Sequence, residues 1–259
     1  MAEMELRICH LYPELMNIYG DRGNVITMVR RCQWRGISAK VTDISVGEAI
    51  DPDEFDFFFI GGGQDREQIL VCEDLSREKG EALRAAVEQG ATLLAICGGY
   101  QLLGKYFLTY TGENLPGISL FDATSVGGDT RFIGNVAVDC GLEGAEGSLV
   151  GFENHSGRTR LGPVARPLGR VLSGYGNNGE DGMEGCVYRG AIGTYLHGSL
   201  LPKNPRLADW FILHSLRRRY EMEGLAMLDD RLETAAHDAA LHLTLSGKRR
   251  WNKLLNRWA

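Results

Sequence analysis

Two continuous apolar runs, FDFFFI beginning at Phe55 and ATLLAI beginning at Ala91, each lead into glycines. Gly61, Gly62 and Gly63 follow the first, and Gly98 and Gly99 follow the second after a single cysteine, Cys97. A run without polar alternation reads as a strand buried on both faces, which belongs in a parallel sheet covered by helices. The neighbouring pattern agrees. Residues 5–11 read as a strand, residues 23–35 as a helix with Val25, Met28, Val29 and Cys32 at helical spacing, and residues 41–44 as a short strand. A helical stretch runs from about Asp65 to Gln89, where Gly90 stops it, and GYQLLGKYF reads as a helix after the second glycine turn. The fold class expected is α/β, an open, mostly parallel sheet flanked by helices.

The second half changes character. Between Ile118 and Tyr195, glycines and the short runs FIGNVAVDC, SLVGFEN, GCVY and AIGTYL predict antiparallel strands added to that sheet. Helices return with LADWFILHSLRRRYEM, and a further one is expected over roughly residues 225–243. The organisation expected is one domain over residues 1–217, with a helical extension over 218–259 packed on it. The tail GKRRWNKLLNRWA is basic and aromatic, and reads either as a solvated helix end or as a docking segment.

With 44% hydrophobic and 24% charged residues among 259, the chain can bury a substantial core. A formal net charge of -6 argues against a general binder of nucleic acid or membrane surfaces. MAEMELRICHLYPELMN is broken by charge and proline before any signal-like apolar run develops, and no segment is apolar enough to span a bilayer, so a cytoplasmic protein is expected. The six cysteines are spread evenly and contain no C-x-x-C pair, which suggests neither a disulfide scaffold nor a zinc site. Cys9 and Cys186 read as small buried hydrophobes.

In open α/β sheets, ligands bind at the carboxyl ends of the strands, where both glycine turns fall. GGGQDREQ lacks the lysine and hydroxyl of a phosphate-binding loop, and neither turn carries G-x-G-x-x-G. A cysteine at a strand-to-helix turn is another matter. The helix N-terminus favours a thiolate, and flanking glycines admit a substrate carbonyl. The Gly98 N–H can supply one half of an oxyanion hole, with the other half from the Gly61 to Gly63 turn. Such a nucleophile needs a proton shuttle. His197, at the end of the apolar strand in GAIGTYLHGSLL, is the favoured candidate; His155 in FENHSG is the runner-up, while His214, His237 and His242 fall within predicted helices.

CGGYQLLG after an apolar strand, with YLHG about a hundred residues later, resembles the class I glutamine amidotransferases, in the branch shared with cobyric acid and cobyrinate amide synthases. LYPELMNIYGDRGN, GGGQDREQ, GFENHSGRT and GYGNNGEDGMEG narrow the likeness to the glutaminase subunits of lipid II isoglutaminyl synthases. The resemblance implies that Cys97 attacks the glutamine side-chain amide, that His197 is its catalytic histidine, and that Arg131 in GGDTRFIGNVAV binds the substrate α-carboxylate. It further implies no cofactor in this chain. ATP and magnesium would belong to a Mur-ligase-like partner subunit, of the MurT kind, which receives ammonia in a heterodimer and amidates the D-glutamate α-carboxyl of lipid II.

One departure stands out. Most class I enzymes carry a glutamate two residues after the histidine, and here that residue is Ser199. The site is then either a Cys-His dyad, or another acceptor such as Asp21 or Glu153 orients the ring. Two rival readings are a glutaminase for a cobyrinate-type synthase and a decayed scaffold. The joint presence of Cys97, His197 and Arg131 weighs against the second.

Overall fold

A computed structural model describes residues 4–255, with side chains described through Gly247. The first half alternates as the apolar runs demand: β1 (Glu5–Leu11), α1 (Arg22–Gln33), β2 (Ser38–Ile44), β3 (Phe57–Ile60), α2 (Asp65–Asp74), α3 (Gly80–Glu88), β4 (Thr92–Ile96) and α4 (Gly98–Leu103). A wide π turn, Leu75–Lys79, joins α2 to α3 and buries the Lys79 ammonium against Asp74, which also accepts the Tyr12 hydroxyl at 2.7 Å. The helix expected over GYQLLGKYF is shorter than its pattern. It stops at Leu103, because the extended Gly104 redirects the chain into the strand β5 (Tyr106–Leu108).

The remaining elements are β6 (Asn114–Pro116), β7 (Ala123–Cys140), β8 (Gly147–Leu161), β9 (Gly169–Ser173), β10 (Met183–Glu184), β11 (Cys186–Tyr188), β12 (Ala191–Thr194), α5 (Leu200–Lys203), α6 (Pro205–Arg217) and α7 (Arg231–Leu255). Of the expected added strands, only β11 and β12 join the first sheet, whose order is β11-β12-β4-β3-β1-β2. All its pairs are parallel except β11 with β12. The others form a second sheet, β10-β9-β7-β5-β6, with β8 paired to β7.

β3 and β4 are buried along their whole length, which is why their sequences carry no polar alternation. From β1 the chain steps one way to β2, and from β3 it steps the other way to β4. Right-handed crossovers therefore put α1 and the α2–α3 segment on opposite faces, and open a crevice at the carboxyl ends of β1 and β3.

The last helix begins at Arg231, later than the pattern around residue 225 suggests. Its start is tied by Arg31, whose guanidinium binds both Asp209 and Asp230 at 2.7–2.8 Å. Further along, His237 donates from Nδ1 to the Lys203 carbonyl and pairs through Nε2 with Ser148 Oγ, each at 2.8 Å. These bonds lay α7 along β7, β8 and β9. The basic side chains of GKRRWNKLLNRWA, read either as a solvated helix end or as a docking segment, lie outside the described residues.

Candidate active site

Cys97 follows β4 directly and opens α4, and its backbone is forced to φ 49, ψ -102. A non-glycine residue held there stores strain, and the strain is fixed from both sides: the Cys97 N–H donates to the Thr194 carbonyl at 2.8 Å, and the Gln101 N–H donates to the Cys97 carbonyl at 2.9 Å. This is the sharp strand-to-helix elbow expected from ATLLAICGG. Exposure alone would not single the residue out. Cys97 is 6% exposed and Cys72 is 7%. What separates Cys97 is that its side chain lines a cavity of about 260 Å³. Burial pushes the other five thiols upward, away from thiolate formation.

Close packing explains the glycines. A Cβ on Gly98 would lie 2.9 Å from the Gly63 nitrogen, so the two turns meet backbone to backbone. Among the described residues, the Gly63 N–H has no hydrogen-bond acceptor. The Gly98 N–H, in the first turn of α4, is one that a helix cannot satisfy itself. Two backbone donors without an acceptor among the described residues therefore belong to turns that meet beside Cys97, one of them on the residue that follows it. The Gly62 N–H is occupied, donating to Asp21 Oδ2 at 2.8 Å.

His197 arrives from the end of β12, and its backbone is pinned to β8 by two hydrogen bonds with Phe152, of 2.8 and 3.1 Å. Its ring is wholly buried, edge-on to Tyr19 with centroids 5.1 Å apart. Nδ1 faces Asp21 Oδ1 at 3.3 Å, and Asp21 is also wholly buried. Nε2 has no hydrogen-bond partner among the described residues and is the nitrogen left for Cys97. Burial opposes a charge on this ring, but attraction to Cys97 and the hydrogen bond it donates to Asp21 outweigh it, so the imidazole is pushed up to about 10. A cationic imidazole beside a thiol is the arrangement that prepares a sulfur nucleophile.

Between the two acceptors left open by the sequence, geometry favours Asp21. Glu153 is buried, but its carboxylate accepts the Tyr175 and Gly176 N–H groups at 2.9–3.1 Å. Burial pushes it up to about 7. Ser199, standing where a glutamate is usual, has its own task. Its Oγ donates to the Gly20 carbonyl at 2.7 Å and so holds the turn that presents Asp21.

Arg131 lines the same cavity as Cys97. It lies in a bulge, since β7 advances from Gly127 to Phe132 while β8 advances only from Gly157 to His155. Bulges of this kind re-aim side chains. Arg131 donates from Nε and Nη2 to the side chain and carbonyl of Asn154, both at 3.0 Å, which fixes the guanidinium at the rim. His155, the runner-up histidine, also lines the cavity, whereas His214 and His237 sit on helices and bond to backbone carbonyls. Gln68 and Gln101 also line the cavity, beside Gln64, Asp65, Arg66 and Ser156; none of these was singled out by the sequence, because nothing in their spacing marks them.

The carboxyl edge of the parallel sheet thus brings together a strained elbow cysteine, a buried histidine and backbone donors, and what the chain resembles agrees with that arrangement. A model of the CobB/CobQ-like glutamine amidotransferase domain matches residues 7–205, and the chain belongs to that family. It is 42% identical over 215 residues to the GatD subunit of the glutamine-hydrolyzing lipid II isoglutaminyl synthase of Staphylococcus aureus, covering 83% of this chain and 86% of that protein. The GatD subunit of Streptococcus pneumoniae is 36% identical over 217 residues, covering 83% and 82%. A probable cobyric acid synthase of Methanothermobacter thermautotrophicus is 36% identical over 149 residues, but the match covers only 29% of that protein. Among solved structures, PurLQS from Thermotoga maritima superposes with a TM-score of 0.56 at 14% identity, over 83% of this chain and 97% of that one, which shows the shared fold. Among the described residues, no helix is long and apolar enough to cross a membrane.

Proposed function

We propose that this chain is the glutaminase subunit of a lipid II isoglutaminyl synthase. The observation that carries the chemistry is Cys97 at a strained elbow, lining a cavity with Arg131 at its rim, together with a buried His197 backed by Asp21. Arg131 binds the α-carboxylate of L-glutamine with its planar fork. The thiol proton of Cys97 passes to Nε2 of His197 and Sγ attacks the side-chain amide carbon; the oxyanion that forms is held by the N–H groups of Gly98 and Gly63. The C–N bond then breaks as His197 gives its proton to the departing nitrogen, which leaves as ammonia. Water, deprotonated by the same imidazole, cleaves the glutamyl thioester to release glutamate and restore the thiol.

The two lipid II relatives match over most of both chains, and this supports the pathway. Ammonia passes through an enclosed route to a Mur-ligase-like partner in a cytoplasmic heterodimer. That partner holds ATP and magnesium and activates the D-glutamate α-carboxyl of the stem peptide, which becomes D-isoglutamine. The test is reconstitution with such a partner, following glutamate release and amidation of lipid II by mass spectrometry. Cys97→Ala is expected to abolish both when glutamine is the nitrogen source, while added ammonium restores amidation. Glutamate release that survives in Cys97→Ala overturns the nucleophile. Absence of lipid II amidation by the native pair overturns the pathway.

A further inference from the structure

His155 is 1% exposed, lines the cavity with Cys97 and Arg131, and takes no part in the chemistry above. Its Nδ1 lies 2.8 Å from the Gly157 carbonyl oxygen. A carbonyl can only accept, so Nδ1 carries the proton, and in the neutral ring Nε2 is a bare acceptor. Nε2 is buried and has no partner among the described residues. An unmet buried acceptor is costly unless a ligand supplies the missing donor.

The ring cannot turn to find another partner. It is stacked on Tyr195, with centroids 3.7 Å apart and planes 9° apart, and Phe132 meets it edge-on at 5.6 Å. The Tyr195 hydroxyl is held in turn by Gln101 and Thr159. Burial, together with the nearby cations Arg158, His197 and Arg131, drives the imidazole down to about 3, so it stays neutral at any working pH.

Resting on the glutaminase reading, we infer that Nε2 of His155 accepts an N–H of the substrate carboxamide, and so distinguishes glutamine from its product glutamate. The placement favours that end of the substrate over the α-ammonium. Arg131 fixes the α-carbon end at the exposed rim, whereas His155 lies on the floor, stacked on the residue two before His197. A carboxamide offers Nε2 a hydrogen. A carboxylate offers only a second lone pair, so hydrolysis turns an attraction into a repulsion and favours product release.

Two variants of the full chain, purified with the subunit it assembles with, test the assignment. His155→Asn keeps a donor for the Gly157 carbonyl but has no atom at the Nε2 position, and His155→Gln returns an amide oxygen near it. His155→Asn is expected to lose roughly tenfold in kcat/KM for glutamine, the factor carried by one net hydrogen bond, and His155→Gln to recover most of it. The ratio of the glutamate inhibition constant to the glutamine KM should fall by a similar factor in His155→Asn. A diazoketone analogue of glutamine keeps the α-carboxylate and α-ammonium but has no carboxamide N–H, so it should alkylate Cys97 in His155→Asn at the native rate. An unchanged kcat/KM overturns the proposal. So does alkylation that slows in step with turnover, since it would mean an ammonium contact or a structural role. Failure of the native protein both to turn over glutamine and to be alkylated at Cys97 overturns the glutaminase reading, and this assignment with it.

Discussion

Replacing Asp21 by Asn tests whether the carboxylate behind His197 is part of the working site. The change is isosteric and leaves an acceptor for the Gly62 N–H, so the turn that Ser199 holds stays in place. What is lost is the negative charge 3.3 Å from Nδ1 in a wholly buried pair. A hydrogen bond to a charged group contributes about 1.5–3 kcal/mol, which corresponds to roughly one to two pH units on the ring. The sign follows from the direction of the shift. His197 is pushed up to about 10, so its proton is present at neutral pH and is lost only as pH rises toward that value. Asp21→Asn should therefore bring the alkaline fall in glutaminase activity down by about one to two units, with a loss in kcat of about 10- to 150-fold below it. The assay is glutamate release measured across pH, with the alkylation rate of Cys97 followed in parallel. A native alkaline limb and native kcat in Asp21→Asn would refute the reasoning and leave a Cys-His dyad.

Two further outcomes follow from the same geometry. Arg131→Ala should raise the KM for glutamine by about 10- to 150-fold with little change in kcat, because a carboxylate contact is made equally before and during reaction; Arg131→Lys should restore only part of it, and a normal KM removes the residue from the site. Gly62→Ala puts a methyl group 2.8 Å from His197 Cε1 and 3.2 Å from Asp21 Oδ2, so kcat should fall by about a hundredfold and the melting temperature should drop. Full activity in Gly62→Ala would mean that the histidine is held less tightly than the packing indicates.

The orienting acceptor shows why local pattern runs out. Cys97 was legible because strand, elbow and helix are contiguous in ATLLAICGGYQLLG, and His197 because it ends an apolar strand. Asp21 was one of two open choices. It stands 176 residues from His197, in a turn without marked spacing, and only the adjacency of β1 to β3 brings it behind the ring. His155 is a similar case. Its neighbours in sequence suggest a strand, while its value as an acceptor depends on Gly157, Tyr195 and the bulge opposite.

The sequence by itself determined most of the elements and the place of Cys97 at an elbow, since burial on both faces and a strand-to-helix turn are written in neighbouring residues. It also placed Cys97 and His197 just beyond the ends of β4 and β12. The tertiary structure alone decided that most of the later strands build a second sheet, and that Ser199 serves the Asp21 turn where a glutamate is usual. It decided, too, which glycine N–H groups stay free. Those outcomes depend on hydrogen bonds and contacts between segments far apart in the chain, and such pairings have no local signature because each partner alone has many equivalent alternatives.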